Sequence, residues 1–89
     1  MKRERTLNDI PAGFGAIVTG FGSLGAQKRR LIDMGITPGV HISVRRVAPL
    51  GDPIEIRLRG YELSIRRSEA QGIFVKESPK PQAHKSALL

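Results

Sequence analysis

A chain of 89 residues makes a single domain, and one this small buries only about 60 % of the surface that its unfolded form exposes. With no cysteine it has neither a disulfide framework nor a thiolate zinc site, and 4 % aromatics are too few for a base-stacking platform. Fifteen Lys and Arg against eight Asp and Glu give a formal charge of +7, which raises a nucleic-acid or anionic-membrane partner and makes the placement of the charges decisive.

Residues 1–5 (Met-Lys-Arg-Glu-Arg) read as a disordered basic start. No apolar h-region follows them and no tract approaches the roughly 18 apolar residues of a membrane span, so a cytoplasmic protein is expected. A patterned domain is expected over 6–77. Ala16, Val18 and Gly20 alternate with Ile17, Thr19 and Phe21, a first strand. Helix formers then run from Ala26 to Met34, with Leu31 and Met34 at i, i+3 and Leu24 seven residues before Leu31. Ser23 is the expected cap, and Gly35 followed by Pro38-Gly39 ends the helix.

A second strand alternates Val40, Ile42 and Val44 with His41, Ser43 and Arg45. Two prolines in Pro49-Leu50-Gly51-Asp52-Pro53 lack the donors of a central strand, so this segment joins two antiparallel strands. Ile54, Ile56 and Leu58 alternate with Glu55, Arg57 and Arg59, and Tyr61, Leu63 and Ile65 with Glu62, Ser64 and Arg66. Gly60 between them marks a tight turn or bulge. Arg67–Gln71 has room for one helical turn, Ile73–Val75 forms a closing strand, and 78–89 read as a disordered tail. Short strands, one helix and closely spaced turns predict a mostly β fold: a small SH3-like antiparallel barrel of about five strands with one short packed α-helix.

Gly20-Phe21-Gly22-Ser23-Leu24-Gly25 satisfies G-x-G-x-x-G between a strand and a helix, but the helix is short and no second crossover follows. It reads as a glycine-rich loop without a nucleotide. His41 lies on the polar side of its strand, with Asp52 and Glu55 as conceivable neighbours across the hairpin. That is a weak hard-ligand contact at best, and no dedicated metal site or cofactor is expected. No serine stands in a nucleophile elbow. Asp33, Asp52, Glu55, Glu62 and Glu69 mostly alternate with basic residues on outward faces, where Glu55 and Arg57 are expected to pair with Glu62 and Arg66. The chain is therefore read as non-enzymatic.

The segments Arg30-Leu31-Ile32-Asp33-Met34-Gly35-Ile36-Thr37-Pro38-Gly39, Val47-Ala48-Pro49-Leu50-Gly51-Asp52-Pro53-Ile54 and Arg59-Gly60-Tyr61-Glu62-Leu63-Ser64-Ile65-Arg66-Arg67 occur in this order. Together they resemble the ferrous iron transport protein A (FeoA) family over roughly Leu7 to Val75. The resemblance implies a small cytosolic SH3-like barrel with an accessory role in bacterial ferrous iron uptake. Its implied partner is the cytoplasmic part of the large membrane GTPase permease FeoB, which would bring it to the inner membrane as a peripheral protein. The same barrel resembles the C-terminal domain of metal-dependent repressors, which keeps a metal-sensing domain as an alternative beside a nucleic-acid-binding barrel. No helix-turn-helix is expected ahead of it, which weakens the repressor reading.

The residues offered to a partner are Lys28, Arg29 and Arg30 on the helix, Leu50 and Asp52 in the proline loop, and Arg66 and Arg67 after the fourth strand. Leu50 is either an exposed contact point or a plug folded back over the barrel end. The basic pairs are either an ordinary solvated surface or a docking face for an acidic partner. Residues 6–75 hold nine basic and six acidic side chains, only +3 of the +7, and no aromatic residue interleaves with the arginines. A protein partner is expected, and no nucleic acid.

Overall fold

The structure, a computed structural model, describes residues 5–78. Six strands follow in order: β1 (Arg5–Thr6), β2 (Gly15–Phe21), β3 (His41–Val47), β4 (Ile54–Leu58), β5 (Tyr61–Ile65) and β6 (Ile73–Glu77). Helix α1 (Gln27–Asp33) lies between β2 and β3, and the single-turn α2 (Arg67–Ala70) between β5 and β6. All neighbours pair antiparallel in one sheet of order β1-β6-β2-β3-β4-β5. The fold is mostly β, as expected, with one strand more than the alternation reveals.

The inward rows are the predicted ones except on β5, where Ile65 is buried, Leu63 half-buried and Tyr61 exposed. Ala16 and Val18, Ile42 and Val44, Ile54, Ile56 and Leu58, Ile65, and Ile73 and Val75 join Leu31 and Leu24 in one buried cluster, so the sheet wraps a single core. The β4–β5 turn is a two-residue hairpin with Leu58 opposite Tyr61. Both central residues, Arg59 (φ 49°) and Gly60 (φ 86°), are left-handed, the geometry that matches strand twist in the shortest hairpins.

Three expectations are corrected. The basic start ends earlier than Arg5, which pairs with Val75 in β1 and bonds Glu77 at 2.6 Å. Ser78, expected in the tail, donates its N–H to the Gly15 carbonyl at 3.3 Å; residues 1–4 and 79–89 lie outside the described residues. Ser23 does not cap α1. Gly25 is left-handed (φ 61°), and a turn over Leu24–Gln27 leads into a helix that begins at Gln27 and has no side-chain cap.

The exit of α1 is as predicted. Gly35 (φ 100°) sends its N–H to Ile32 and Ile36 sends its own to Leu31, the paired bonds of a Schellman cap, with Leu31 and Ile36 both fully buried beneath it.

Candidate functional site

The loop Ala48–Pro53 is held from within. Gly51 N–H donates to Ala48 O at 2.7 Å, closing a β-turn that has Pro49 and Leu50 at its centre, and Ala48 N–H donates to Pro53 O at 3.1 Å. Proline at the first central position presets the turn, while Gly51 accepts the left-handed φ of 89° that follows. Leu50 is thereby lifted to the tip, 89 % exposed. The plug alternative is excluded: Leu50 stands out from the barrel at the exposed tip of the loop.

Asp52, exposed on the same loop, turns toward α2. Its Oδ1 accepts the Arg67 backbone N–H at 3.0 Å and ties the loop to the start of α2. A Cβ on Gly51 would come within 3.4 Å of the Arg67 guanidinium, so that side chain lies along the loop. Arg66 and Arg67 are exposed and make no ion pair among the described residues. Leu50, Asp52 and Arg67 thus belong to one feature, an apolar tip braced at a basic corner.

The helix residues separate. Lys28 stands 5.7 Å from the centre of the Phe21 ring, and Arg29 reaches Asp33 at 4.0 Å on the exposed face. Arg30 differs from the outward residue expected: its guanidinium is bonded to Glu69, with Met34 Sδ a further contact at 3.6 Å. Glu69, expected on an outward face, is 1 % exposed and is the buried charged residue of the core. Its other oxygen accepts the Arg66 N–H at 2.9 Å, half of a capping box for α2. Burial pushes the Glu69 carboxyl up, but the Arg66 N–H and the Arg30 guanidinium outweigh it and hold the group below the ordinary carboxylate range. Glutamate three residues after Arg66 was the available signal for that half-box; Arg30 lies 39 residues away and left none.

The cross-strand ion pairs are half as predicted. Arg57 sits opposite Glu62 and bonds it at 3.5 Å, and Arg45 approaches the same carboxylate at 3.8 Å. Glu55 turns to Arg46 at 3.6 Å instead of Arg66, because a bulge after Val44 shifts the β3 register and brings Arg46 opposite it. The register also separates His41 from Glu55. His41 faces Ile17 at the start of β3, about 16 Å of strand before Arg46, with its ring against Gly15. The described residues hold no cluster of three or more His, Asp and Glu able to bind a metal ion.

The glycine-rich loop is packing. Gly22 N–H donates to Gly72 O at 2.7 Å, and a Cβ on Gly72 would stand 2.5 Å from the Leu24 side chain. The Arg59-Gly60-Tyr61 turn is a latch: Tyr61 Oη donates to Met34 O, while Arg59 donates to Gly35 O at 3.4 Å and Thr37 Oγ1 at 3.5 Å. Two of the three motif segments therefore hold each other at the α1 exit.

A family profile described as the FeoA domain matches residues 5–77. The chain belongs to the FeoA family. It is 33 % identical over 70 residues to an Fe(2+) transport protein A/Fe(2+) transporter FeoB fusion protein of Porphyromonas gingivalis, covering 79 % of this chain and 8 % of that relative's length. The FeoA-like protein of Clostridium acetobutylicum superposes with a TM-score of 0.80 at 39 % identity, over 90 % of this chain and 93 % of that one. FeoA of Stenotrophomonas maltophilia, described as an SH3 domain protein and solved with zinc, gives 0.71 at 26 %, over 81 % and 89 %. A manganese-dependent transcriptional repressor shares the fold at 0.77 and 18 % identity, over 88 % of this chain and 38 % of its own. The family is thereby linked to ferrous iron transport and its SH3-like fold to metal repressor domains. Among the described residues no helix is long and apolar enough to cross a membrane.

Proposed function

We propose that this FeoA-family chain is a non-catalytic accessory protein of bacterial ferrous iron uptake, working in the cytoplasm and docking on the cytoplasmic part of a FeoB-type GTPase permease. The observation that carries the reading is the fusion of the two modules in the Porphyromonas gingivalis relative, where joining them makes their encounter intramolecular. The docking face is the Leu50 tip with Arg66 and Arg67 beside it, extended by Lys28 and Arg29 on α1; Asp52 braces the loop, and Arg30, bonded to Glu69, contributes only its exposed edge. A bare leucine on a closed turn supports this face because it loses little conformational freedom on binding.

Titration calorimetry of the chain against the permease's cytoplasmic domain, and against the full-length permease in vesicles, tests the proposal. Binding is expected, weakened about tenfold or more by Leu50→Asp, which corresponds to at least about 1.4 kcal/mol. Arg67→Glu should act mainly on the association rate and on its salt dependence. No heat with either form of the permease, at low and at physiological salt, overturns it.

A further inference from the structure

The sheet has two edges. At one, β1 is only two residues long, while at the other β5 offers five. The two-residue hairpin closes on Leu58 and Tyr61 as a bonded pair, and non-bonded and bonded pairs then alternate along β4–β5. Tyr61, Leu63 and Ile65 therefore direct their backbone groups to β4, and Glu62 and Ser64 turn theirs away from the sheet. Among the described residues no backbone group bonds those two N–H and two C=O groups. The open run stops at Arg66, whose N–H goes to Glu69 Oε1 at 2.9 Å and whose C=O accepts the Glu69 and Ala70 N–H groups at 2.9 and 3.0 Å.

An edge of this pattern can meet a second copy of itself, antiparallel about a twofold axis, in three registers. Centred on Glu62, the pairing sets two carboxylates opposite one another and joins only that pair of residues. Centred on Ser64, it again joins one pair, because the Arg66 that falls opposite Glu62 has its backbone groups already engaged. Centred on Leu63, it sets each Glu62 opposite the other copy's Ser64, and every outward N–H and C=O of both strands is bonded. Each Ser64 hydroxyl then donates to a facing carboxylate, which keeps Arg57 and Arg45 at 3.5 and 3.8 Å on its other side. Leu63, half-buried against the core, meets its own copy as a non-bonded pair, where cross-strand side chains stand closest.

We propose that β5 is the interface for a second copy of this chain, an antiparallel β5–β5 pairing centred on Leu63 that runs one sheet through both barrels. Charge and hydrogen bonding select the same register. The pairing is isologous and uses up the longer edge of each copy, so assembly closes at a dimer. The inference is independent of the docking face assigned to Leu50, and a failure of permease binding leaves it untouched.

Sedimentation equilibrium of the full-length chain should show dimer forming below about 1 mM. Over the same range, amide exchange at Glu62 and Ser64 should slow about tenfold with rising concentration, while at Leu63, bonded within the hairpin throughout, it stays constant. Isotope-filtered nuclear Overhauser contacts are expected between the Leu63 methyl groups of two copies. Ser64 is exposed in the single chain, so Ser64→Glu should leave the fold intact and weaken dimerisation about fivefold by placing carboxylates opposite one another, and Ser64→Lys should strengthen it by a similar factor. A chain that stays monomeric at about 1 mM overturns the proposal. So does a dimer in which Glu62 and Ser64 exchange as freely as at low concentration. Protection of both amides that is independent of concentration assigns the edge to the chain's own terminal segments, and protection that needs the permease's cytoplasmic domain assigns it to that partner; either result also overturns it.

Discussion

At the exit of α1 the Arg59-Gly60-Tyr61 turn and the Met34–Thr37 segment hold one another, whereas the Ala48–Pro53 loop holds itself and leaves Leu50 in solvent. Both regions carry motifs of the same family resemblance, both turn on left-handed glycines, and each offers a large side chain, Tyr61 in one and Leu50 in the other. They differ in where that side chain goes. Tyr61 reaches back to a helix carbonyl that has no intrahelical partner, while Leu50 sits on a turn already closed by its own backbone and has nothing behind it. A motif residue at a latch answers to stability, whereas one at a self-closed tip adds no such bond, and the proposed docking is what gives it a role.

The largest stability effect should come from the Arg30–Glu69 pair, which fastens α1 to α2. Removing one member of a buried ion pair costs about 3–5 kcal/mol, and because Arg30 is half exposed we expect about 2 kcal/mol for Arg30→Ala, read from urea denaturation at pH 7. The Glu69 carboxyl is held below its unfolded value, so its contribution is complete above about pH 5 and fades as pH falls through the lowered folded value. The gap between parent and Arg30→Ala should narrow on that acid limb. A gap constant with pH would mean that the pair does not hold the two helices.

Gly60→Ala comes next. A Cβ has open space at Gly60, but the residue must keep φ at 86°, which costs about 1–2 kcal/mol. Tyr61→Phe should lose about 1 kcal/mol, the net worth of one hydrogen bond, with the NMR shifts of Met34 and Gly35 moving while those of the 48–53 loop stay in place. At the other end of the scale Leu50→Asp should leave the stability within about 0.5 kcal/mol of the parent while weakening the proposed permease binding about tenfold or more. Equal losses of stability from Tyr61→Phe and Leu50→Asp would erase the distinction between latch and tip.

Much of the fold was legible because β4, β5 and the loop between β3 and β4 obey local rules. Period-2 alternation marks the strands, Gly60 the hairpin, Gly35 the helix end, and two prolines the loop. Features set by long-range register were not. The bulge after Val44, which hands Glu55 to Arg46, leaves no local mark, and β1 is only two residues long. At the candidate site the sequence supplied Leu50, Asp52 and Arg67 but not their arrangement, and it placed Arg30 and Glu69 on outward faces. Glu69 looks like any surface glutamate until a guanidinium 39 residues away meets it in the core.

Because β1 lies beside β6, the described chain enters and leaves the domain side by side, fastened by Arg5 and Glu77. A domain of that shape is a cassette: a longer polypeptide can carry it without rethreading the sheet. Tethered so to a second module, its loop 48–53 would meet a target at a local concentration set by the linker. A weak Leu50 contact would then suffice, and linker length would become a means of tuning the encounter.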